Sequence, residues 1–402
     1  MNDSLPDAPW RHRAGLDGLL DALDATQGKA RFVGGAVRDS LLGLPVNDLD
    51  IATTLAPHAV VERLRDAGIK AVPTGIEHGT VTAILPDGPV EITTLRRDVS
   101  TDGRRATIAY TDDWREDAAR RDFTINALYA DPATGAIRDY FGGLDDLKAR
   151  RLRFIGDAEA RIAEDHLRIL RYFRFLARYG GDELDLAAYE ACKAAANSLM
   201  ALSRERIADE LLKLLSGVAP VHAVNLMVEG GILAPVLPEV TAEGVERLDQ
   251  VIGREKAAGV EGSAIRRLAA LLPADRAVAD QVGARLKLSN KARKRLTAAV
   301  DRGAVEPARA VAYRIGVEGA VDRILLDPAR FPAEVGEVQG WMPPQLPIGG
   351  GALIARGLKP GPDVAKALQE VERTWVAEDF PDEGRVDLIA DQIVSKFQRA
   401  RQ

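Results

Sequence analysis

Leucines at 16, 19, 20 and 23 recur at the helical period, so the chain opens with a predicted helix over 12–27. The apolar run "ARFV" then predicts a short strand, interrupted by Gly34-Gly35. Helical spacing resumes from about Ala36 and stops near Gly43. Alternation with β-branched residues predicts strands in "DLDIATT", "GTVTAIL" and "VEITTLRR", and "PHAVVERLRDAGI" among them reads as an amphipathic helix. From about Asp146 strand-like runs nearly vanish. "DAEARIAEDHLRILRYFRFLARYG" predicts one long helix closed by Gly180-Gly181; "SRERIADELLKLLSG" predicts another, opened by Ser203, with Arg206 where a capping box favours Glu. Residues 217–402 read as helices separated by breaks such as "LLPADR" and "GWMPPQLPIGGG", with no internal repeat. The pattern as a whole predicts an α+β chain: a mixed-sheet domain followed by an elongated all-helical region.

Composition narrows the classes. A chain of 402 residues is too long for one compact domain and suggests two to four. Its 46% hydrophobic and 28% charged content is that of a globular protein. No apolar stretch is long enough to span a bilayer, and "MNDSLPDAPWRHRAGL" lacks the apolar segment of a signal peptide. The single cysteine, Cys192, argues against a disulfide framework and for a reducing cytoplasm; five scattered histidines argue against a Cys/His zinc site. A net charge of −6 argues against wholesale coating of nucleic acid, although a local basic stripe can still attract phosphate.

The candidate chemistry begins at "PVNDLDIATTL". In a strand, Asp48 and Asp50 share one face while Leu49 and Ile51 turn to the core. Two adjacent carboxylates repel, and a divalent cation offsets that repulsion; the competing reading is a polar turn. Ten residues upstream, "VGGAVRD" places two glycines between strand and helix, a junction where backbone and helix N-terminus approach a phosphate and Arg38 can clasp it. A phosphate-binding turn feeding a paired-carboxylate strand suits nucleotidyl transfer. Glu91 in "PVEITTLRR" is a candidate third carboxylate, with an exposed strand-edge glutamate as the alternative. In "DAARRDFTINALYAD", Arg120 and Arg121 suit phosphate and Asp122 a ribose hydroxyl. The charge-dense "RRDVSTDGRRATIAYTDDWREDAA" reads as a mobile loop over the site.

The most informative helix carries Asp165, Arg168, Arg171 and Arg174. Asp165 and Arg168 are i, i+3 neighbours, and the following arginines wind round the helix because three residues fall short of a turn. An ordinary surface ion pair is one reading. The chemical alternative is specific: cytosine and adenine each present an amine donor beside a ring-nitrogen acceptor, which an Asp acceptor and an Arg donor match. Uracil and guanine present a carbonyl beside an N–H, so both contacts are wrong, at roughly 1–3 kcal/mol each.

Together "GGAVRD" with "DLD", "DGRR", "RRDFTINAL", "YFGGLDDL", "EDHLRILRYFRF" and "LSRERIADELLKLL" resemble, in order and over roughly residues 31–215, the class II tRNA nucleotidyltransferases. These are the bacterial CCA-adding enzymes and poly(A) polymerases of the DNA polymerase β-like superfamily. The resemblance implies a catalytic nucleotidyltransferase head over 1–146, a base-recognising neck over 147–216, and a tRNA-binding body and tail over 217–402, arranged like a hook. It implies two Mg²⁺ ions on Asp48 and Asp50 and in-line attack of the tRNA 3′-hydroxyl on the α-phosphate of CTP or ATP. Gly35 and Arg38 match triphosphate-binding positions, and Arg121 a substrate-binding arginine. Asp165 and Arg168 match the protein template for the base, with Arg171 and Arg174 also lining the nucleotide.

Within the family, the acidic balance and "TGIEHGTV" favour tRNA over poly(A) synthesis, and "DGRR" at 102–105 argues against a CC-adding enzyme. An A-adding enzyme stays open, as does a non-catalytic RNA-binding protein that keeps the fold. No His-Asp dipeptide occurs, which argues against an appended phosphohydrolase. The basic "KLSNKARKRL" (287–296) either touches tRNA or is a helix capped by Ser289 with a solvated face.

Overall fold

The structure, a computed structural model, describes residues 4–102, 105–181, 183–301 and 306–399, with the backbone alone over 98–102 and 105–107. The chain divides into two compact units, Met1–Pro238 and Glu239–Gln402.

The first unit is built on a seven-stranded mixed sheet. Its strands are β1 (Ala30–Val33), β2 (Asp50–Thr53), β3 (Lys70–Gly75), β4 (Thr80–Leu85) and β5 (Gly88–Thr94), with β8 (Leu128–Ala130) and β9 (Ile137–Asp139). Between β5 and β8 come β6 (Arg96–Asp102) and β7 (Arg105–Tyr110), which form a separate two-stranded antiparallel sheet. The large sheet has the order β3-β4-β5-β2-β1-β8-β9, and only β2 and β5 run parallel. Helices α1 (Leu16–Ala22), α2 (Gly35–Leu41) and α3 (Pro57–Asp66) pack around it, α2 on β1 and β8, α3 on β3 and β4. Phe32 of β1 and Trp10 meet edge to face at 4.9 Å, and both are buried, so the chain ahead of α1 seals one face. The other face closes over Tyr129 and Ala118 of α4 (Trp114–Ala119).

The segment expected to be a mobile loop is therefore the β6–β7 hairpin followed by α4. Its charge obscured it, because the ladder pairs backbone groups whatever the side chains and α4 packs on β6. Gly103 and Arg104 of "DGRR" lie outside the described residues.

Beyond α5 (Gly143–Lys148), the long helix predicted across 157–180 is two: α6 (Ala158–Glu164) and α7 (Leu167–Tyr179), broken at Asp165, whose φ and ψ of −152° and 107° are extended. Apolar periodicity runs through the break and so could not report it. One side of α7 packs on an aromatic cluster in which Phe123 lies 5.0 Å from Phe154 and 5.2 Å from Phe175. Helices α8 (Leu186–Ala194), α9 (Arg204–Leu215) and α10 (Pro220–Glu229) complete the unit, α9 and α10 both against α7. Ser203 holds the N-cap position of α9 but makes no side-chain cap.

The second unit is helical among its described residues: α11 (Ala242–Ala258), α12 (Ala264–Leu271), α13 (Arg276–Arg285), α14 (Asn290–Val300) and α15 (Ala308–Leu326), the last interrupted at Gly316, where φ is +81°. The short α16 (Val335–Val338) and α17 (Gly350–Ala355) precede α18 (Pro362–Ala377) and α19 (Glu383–Arg399). Ser289 caps α14 by accepting from the Ala292 N–H, and Arg293 and Arg295 of that basic stretch pair with Asp280 and Asp322. Among the described residues no helix is long and apolar enough to cross a membrane.

Candidate active site

In the first unit, a cleft of 590 Å³ gathers side chains from the turn before α2, the start of β2, the segment after α4 and α7. Gly35, Arg38, Arg121, Asp122, Asp165, Arg168, Arg171 and Arg174 all line it, as do Asp48 and Asp50. Glu91 is not part of its wall.

The turn is built by Gly34, whose φ of +67° and ψ of −124° disfavour any side chain. A Cβ there would stand 3.6 Å from Arg121 Nη1, and the Gly34 N–H donates to Leu128 O at 3.1 Å, tying the turn to β8. Arg38 follows on α2 but is not a free side chain. It is buried; its Nε donates to Asp39 Oδ1 at 2.8 Å, Nη1 donates to Asn126, and Nη2 donates to the Tyr179 hydroxyl at 2.5 Å.

Strand β2 begins at Asp50. Leu49 is buried and its carbonyl accepts the Glu91 N–H at 3.0 Å, so the chain is anchored between the two aspartates. With Leu49 and Ile51 in the core, Asp48 and Asp50 share the cleft side, as strand alternation requires. Asp50 and Glu91 are register partners across the parallel β2–β5 pair. The Asp50 carboxyl is pushed up to about 6, first by burial and then by repulsion from Glu91, with Arg121 opposing and Asp48 adding to it. Among the described residues, no group of three or more His, Cys, Asp or Glu is placed to hold a metal ion by itself.

The segment after α4 is fixed from below by Asp117. Burial would raise its carboxyl, but the guanidiniums of Arg121 and Arg120 and the Tyr129 hydroxyl outweigh burial and hold it down at about 2. Arg121 thereby lies against Tyr129 and Asp117 while lining the cleft. Asp122 accepts from Arg171 Nε and Nη2 at 2.9 and 2.5 Å, from Asn126 Nδ2 at 3.0 Å and from the Phe123 N–H at 2.9 Å. Burial opposes its ionisation, yet Arg171 and these hydrogen bonds hold its carboxyl below the usual range. Arg161 of α6 grips the carbonyls of Arg120 and Arg121 at 2.5 and 2.6 Å, joining this segment to the helices behind it.

Asp165 and Arg168 do not pair with one another through their side chains; each is held by a third residue. Asp165 Oδ1 accepts the Leu167 N–H at 3.1 Å and Oδ2 accepts Arg206 Nη2 at 2.8 Å. Arg168 donates to Glu164 and to Arg161 O. Arg174 donates to Glu210 Oε2 at 2.6 Å, and Glu210 is buried on α9.

Sequence reasoning missed Asn126, Glu164, Glu210, Phe175 and Tyr179, and noticed Arg206 only as a departure from a capping box. One signal was available: Glu210 falls on the apolar side of α9 with Ile207, Leu211 and Leu214, where an unpaired carboxylate is costly.

Known proteins resemble this chain in sequence and in fold. Residues 30–153 match the family model described as the poly A polymerase head domain, and 183–243 match the probable RNA and SrmB-binding site of polymerase A. The mitochondrial CCA tRNA nucleotidyltransferase 1 of Mus musculus is 35% identical over 90% of this chain and 86% of its own. A CCA-adding enzyme of Latilactobacillus sakei is 32% identical over 90% and 94%. The crystal structure of the Bacillus stearothermophilus CCA-adding enzyme in complex with CTP superposes with a TM-score of 0.72 at 25% identity, covering 96% of this chain and 99% of that one. A head-domain match, full-length relatives and a shared fold converge on one assignment: the chain belongs to the CCA tRNA nucleotidyltransferase family.

Proposed function

We propose that the protein adds C, C and A in turn to the 3′ end of tRNA, taking CTP and ATP and releasing pyrophosphate. The observation that carries this reading is that one cleft holds a bare glycine turn, a pair of carboxylates at the start of β2 and an Asp/Arg pair whose two members are oriented independently. The cleft thus has a place for triphosphate, reacting centre and base at once.

Gly34, Gly35 and Arg121 take the triphosphate, with Arg38 at the edge of the turn. Asp165 accepts the exocyclic amine of cytosine or adenine, and Arg168 donates to the adjacent ring nitrogen. Arg206 and Glu164 aim those two groups, and Arg171 and Arg174 complete the wall from Asp122 and Glu210. Asp48 and Asp50 are the ligands for magnesium. Two hard carboxylates fit an ion that takes its remaining oxygens from substrate phosphate and water, and a cation would favour the charged form of the Asp50 carboxyl, which burial first and then repulsion from Glu91 and Asp48 lift. When bound there, two Mg²⁺ ions would supply activation of the 3′-hydroxyl and neutralisation of the departing pyrophosphate. Glu91 acts through its charge on Asp50 from the neighbouring strand. The head, neck, body and tail follow the boundaries 1–146, 147–216 and 217–402, with the helices after 217 receiving the tRNA. The single buried Cys192 suits a reducing compartment such as the cytoplasm.

The test is a panel of tRNAs ending before the added bases, after C, and after CC, each given CTP or ATP alone with Mg²⁺. Incorporation of C onto the first two and A onto the third establishes the activity. Incorporation of A alone onto the third makes it an A-adding enzyme, long A tails make it a poly(A) polymerase, and tRNA binding without incorporation refutes catalysis.

A further inference from the structure

The last turn of α7 carries a residue that does not line the cleft yet holds one that does. Tyr179 is buried, and its hydroxyl accepts from Arg38 Nη2 at 2.5 Å and donates to Asp39 Oδ1 at 2.9 Å. Its ring lies beneath the same guanidinium, whose carbon is 4.0 Å from the centroid. One turn earlier, Phe175 lies tilted 5.6 Å from Tyr179 and carries three cleft arginines over its face: Arg174 at 4.5 Å, Arg38 at 5.3 Å and Arg171 at 5.5 Å. Arg38 comes from the glycine-turn helix, whereas Arg171 and Arg174 belong to the base side. Burial pushes the Tyr179 hydroxyl up to about 12, so it stays a neutral phenol that can donate and accept at once.

We propose that Tyr179 is the positioning residue for the triphosphate end of the cleft and that Phe175 is the platform shared by both ends. The inference rests on the assignment of the glycine turn to triphosphate made above. An arginine side chain loses considerable rotamer freedom when it is ordered, and a group ordered before the ligand arrives does not charge that loss to binding. The Tyr179 hydroxyl and ring hold Arg38 in one rotamer, with Asp39 and Asn126 closing the other directions. Phe175 does the same for guanidiniums at both ends through one ring, an arrangement in which cation–π contacts add to packing.

Two substitutions separate these roles. Tyr179→Phe removes the hydroxyl and keeps the ring; it leaves Asp165, Arg168 and their partners untouched. Phe175→Leu keeps an apolar filling and removes the platform. Binding of inorganic tripolyphosphate with Mg²⁺ and of cytidine is measured by calorimetry on the full chain, together with kcat and KM for CTP, ATP and UTP and the melting temperature. Tyr179→Phe is expected to weaken tripolyphosphate about tenfold and raise the KM of CTP and ATP alike, the scale of one hydrogen bond to a charged group. Cytidine affinity and the UTP-to-CTP ratio stay at wild-type values. Phe175→Leu is expected to weaken tripolyphosphate as well and also to shift that ratio towards UTP. Wild-type tripolyphosphate affinity in Tyr179→Phe, whatever its melting temperature, overturns the positioning role. An unchanged ratio in Phe175→Leu overturns the shared platform. If wild-type protein incorporates neither nucleotide, the function reading fails, and the tripolyphosphate titrations still decide the role of Tyr179.

Discussion

Replacing Asp165 by Asn changes one oxygen to an NH₂ group and leaves the shape of the side chain intact, so its consequences follow from hydrogen-bond bookkeeping. Both carboxylate oxygens of Asp165 are engaged, one by the Leu167 N–H that opens α7 and one by Arg206. The amide has a single acceptor, and the Arg206 cation repels an NH₂, so the amide oxygen turns to Arg206 and the NH₂ group meets the Leu167 N–H. That loses the bond at the helix start and costs about 1 kcal/mol of stability, in the range for a lost helix-start acceptor. At the base, an amide NH₂ can donate to the exocyclic carbonyl of uracil where the carboxylate only repelled it. Arg168 still faces the uracil N3–H, so one of two mismatched contacts is repaired. One such contact is worth roughly 1–3 kcal/mol, and the preference for CTP over UTP should fall about 10- to 100-fold. Single-turnover incorporation onto tRNA lacking its added bases, with CTP and UTP compared by kcat/KM, measures it. A folded variant, judged by its melting curve, that discriminates as well as wild type would refute the assignment of Asp165 to the base.

Other outcomes follow from the same geometry. Asp48→Ala and Asp50→Ala should each abolish incorporation without lowering the melting temperature, whereas Glu91→Gln, outside the cleft wall, should lose less than about tenfold, the scale of the roughly 1 kcal/mol between charges a few ångströms apart in contact with water; a Glu91 loss equal to that of the aspartates would make it a ligand. Asp117 is held at about 2 against an ordinary 3.8, so its contribution of about 2 kcal/mol is complete above pH 3.8 and is lost as pH falls towards 2. Urea unfolding should therefore show the stability gap between wild type and Asp117→Asn shrinking across that window, and a gap independent of pH would refute it. In the second unit, Asp322 is fully buried and accepts from both Arg266 and Arg295. Asp322→Ala takes one partner from each guanidinium, Arg266 keeping Glu255 and Arg295 keeping Glu318 and Ser263, and should cost about 2–3 kcal/mol in calorimetric unfolding; a loss under about 0.5 kcal/mol would show that Asp322 is not what holds those helices.

How much of the site was legible depended on how far apart in sequence its parts act. The aspartate pair could be read because Leu49 and Ile51, its immediate neighbours, declare which side is core. The glycine turn could be read because a strand ends and a helix starts within a few residues of it. The arginines of α7 could be placed on one helix from their spacing, which left an ordinary surface ion pair as a competing reading. Strands β3, β8 and β9 were missed, being short or set in polar surroundings; β8 is buried between neighbours that a local window does not contain. The break at Asp165 was missed for a stronger reason. Helical periodicity is satisfied on both sides of it, and of the two groups that hold the extended residue one, the Leu167 N–H, is local and the other, Arg206, is 41 residues away. The same holds for Arg171, which meets Asp122 at a separation of 49, and for Arg38, which meets Tyr179 at 141. Residue type and local spacing therefore picked out side chains that the fold gathers in one cleft, and the partners that hold them came only with the fold. That division has a functional consequence. A base is chosen by groups held in fixed directions, since a mobile carboxylate or guanidinium would accommodate the wrong donor and acceptor nearly as well. On the proposed reading, selectivity for the base depends on Arg206, Glu164 and Glu210 as much as on the side chains that face the nucleotide, and none of these three lines the cleft.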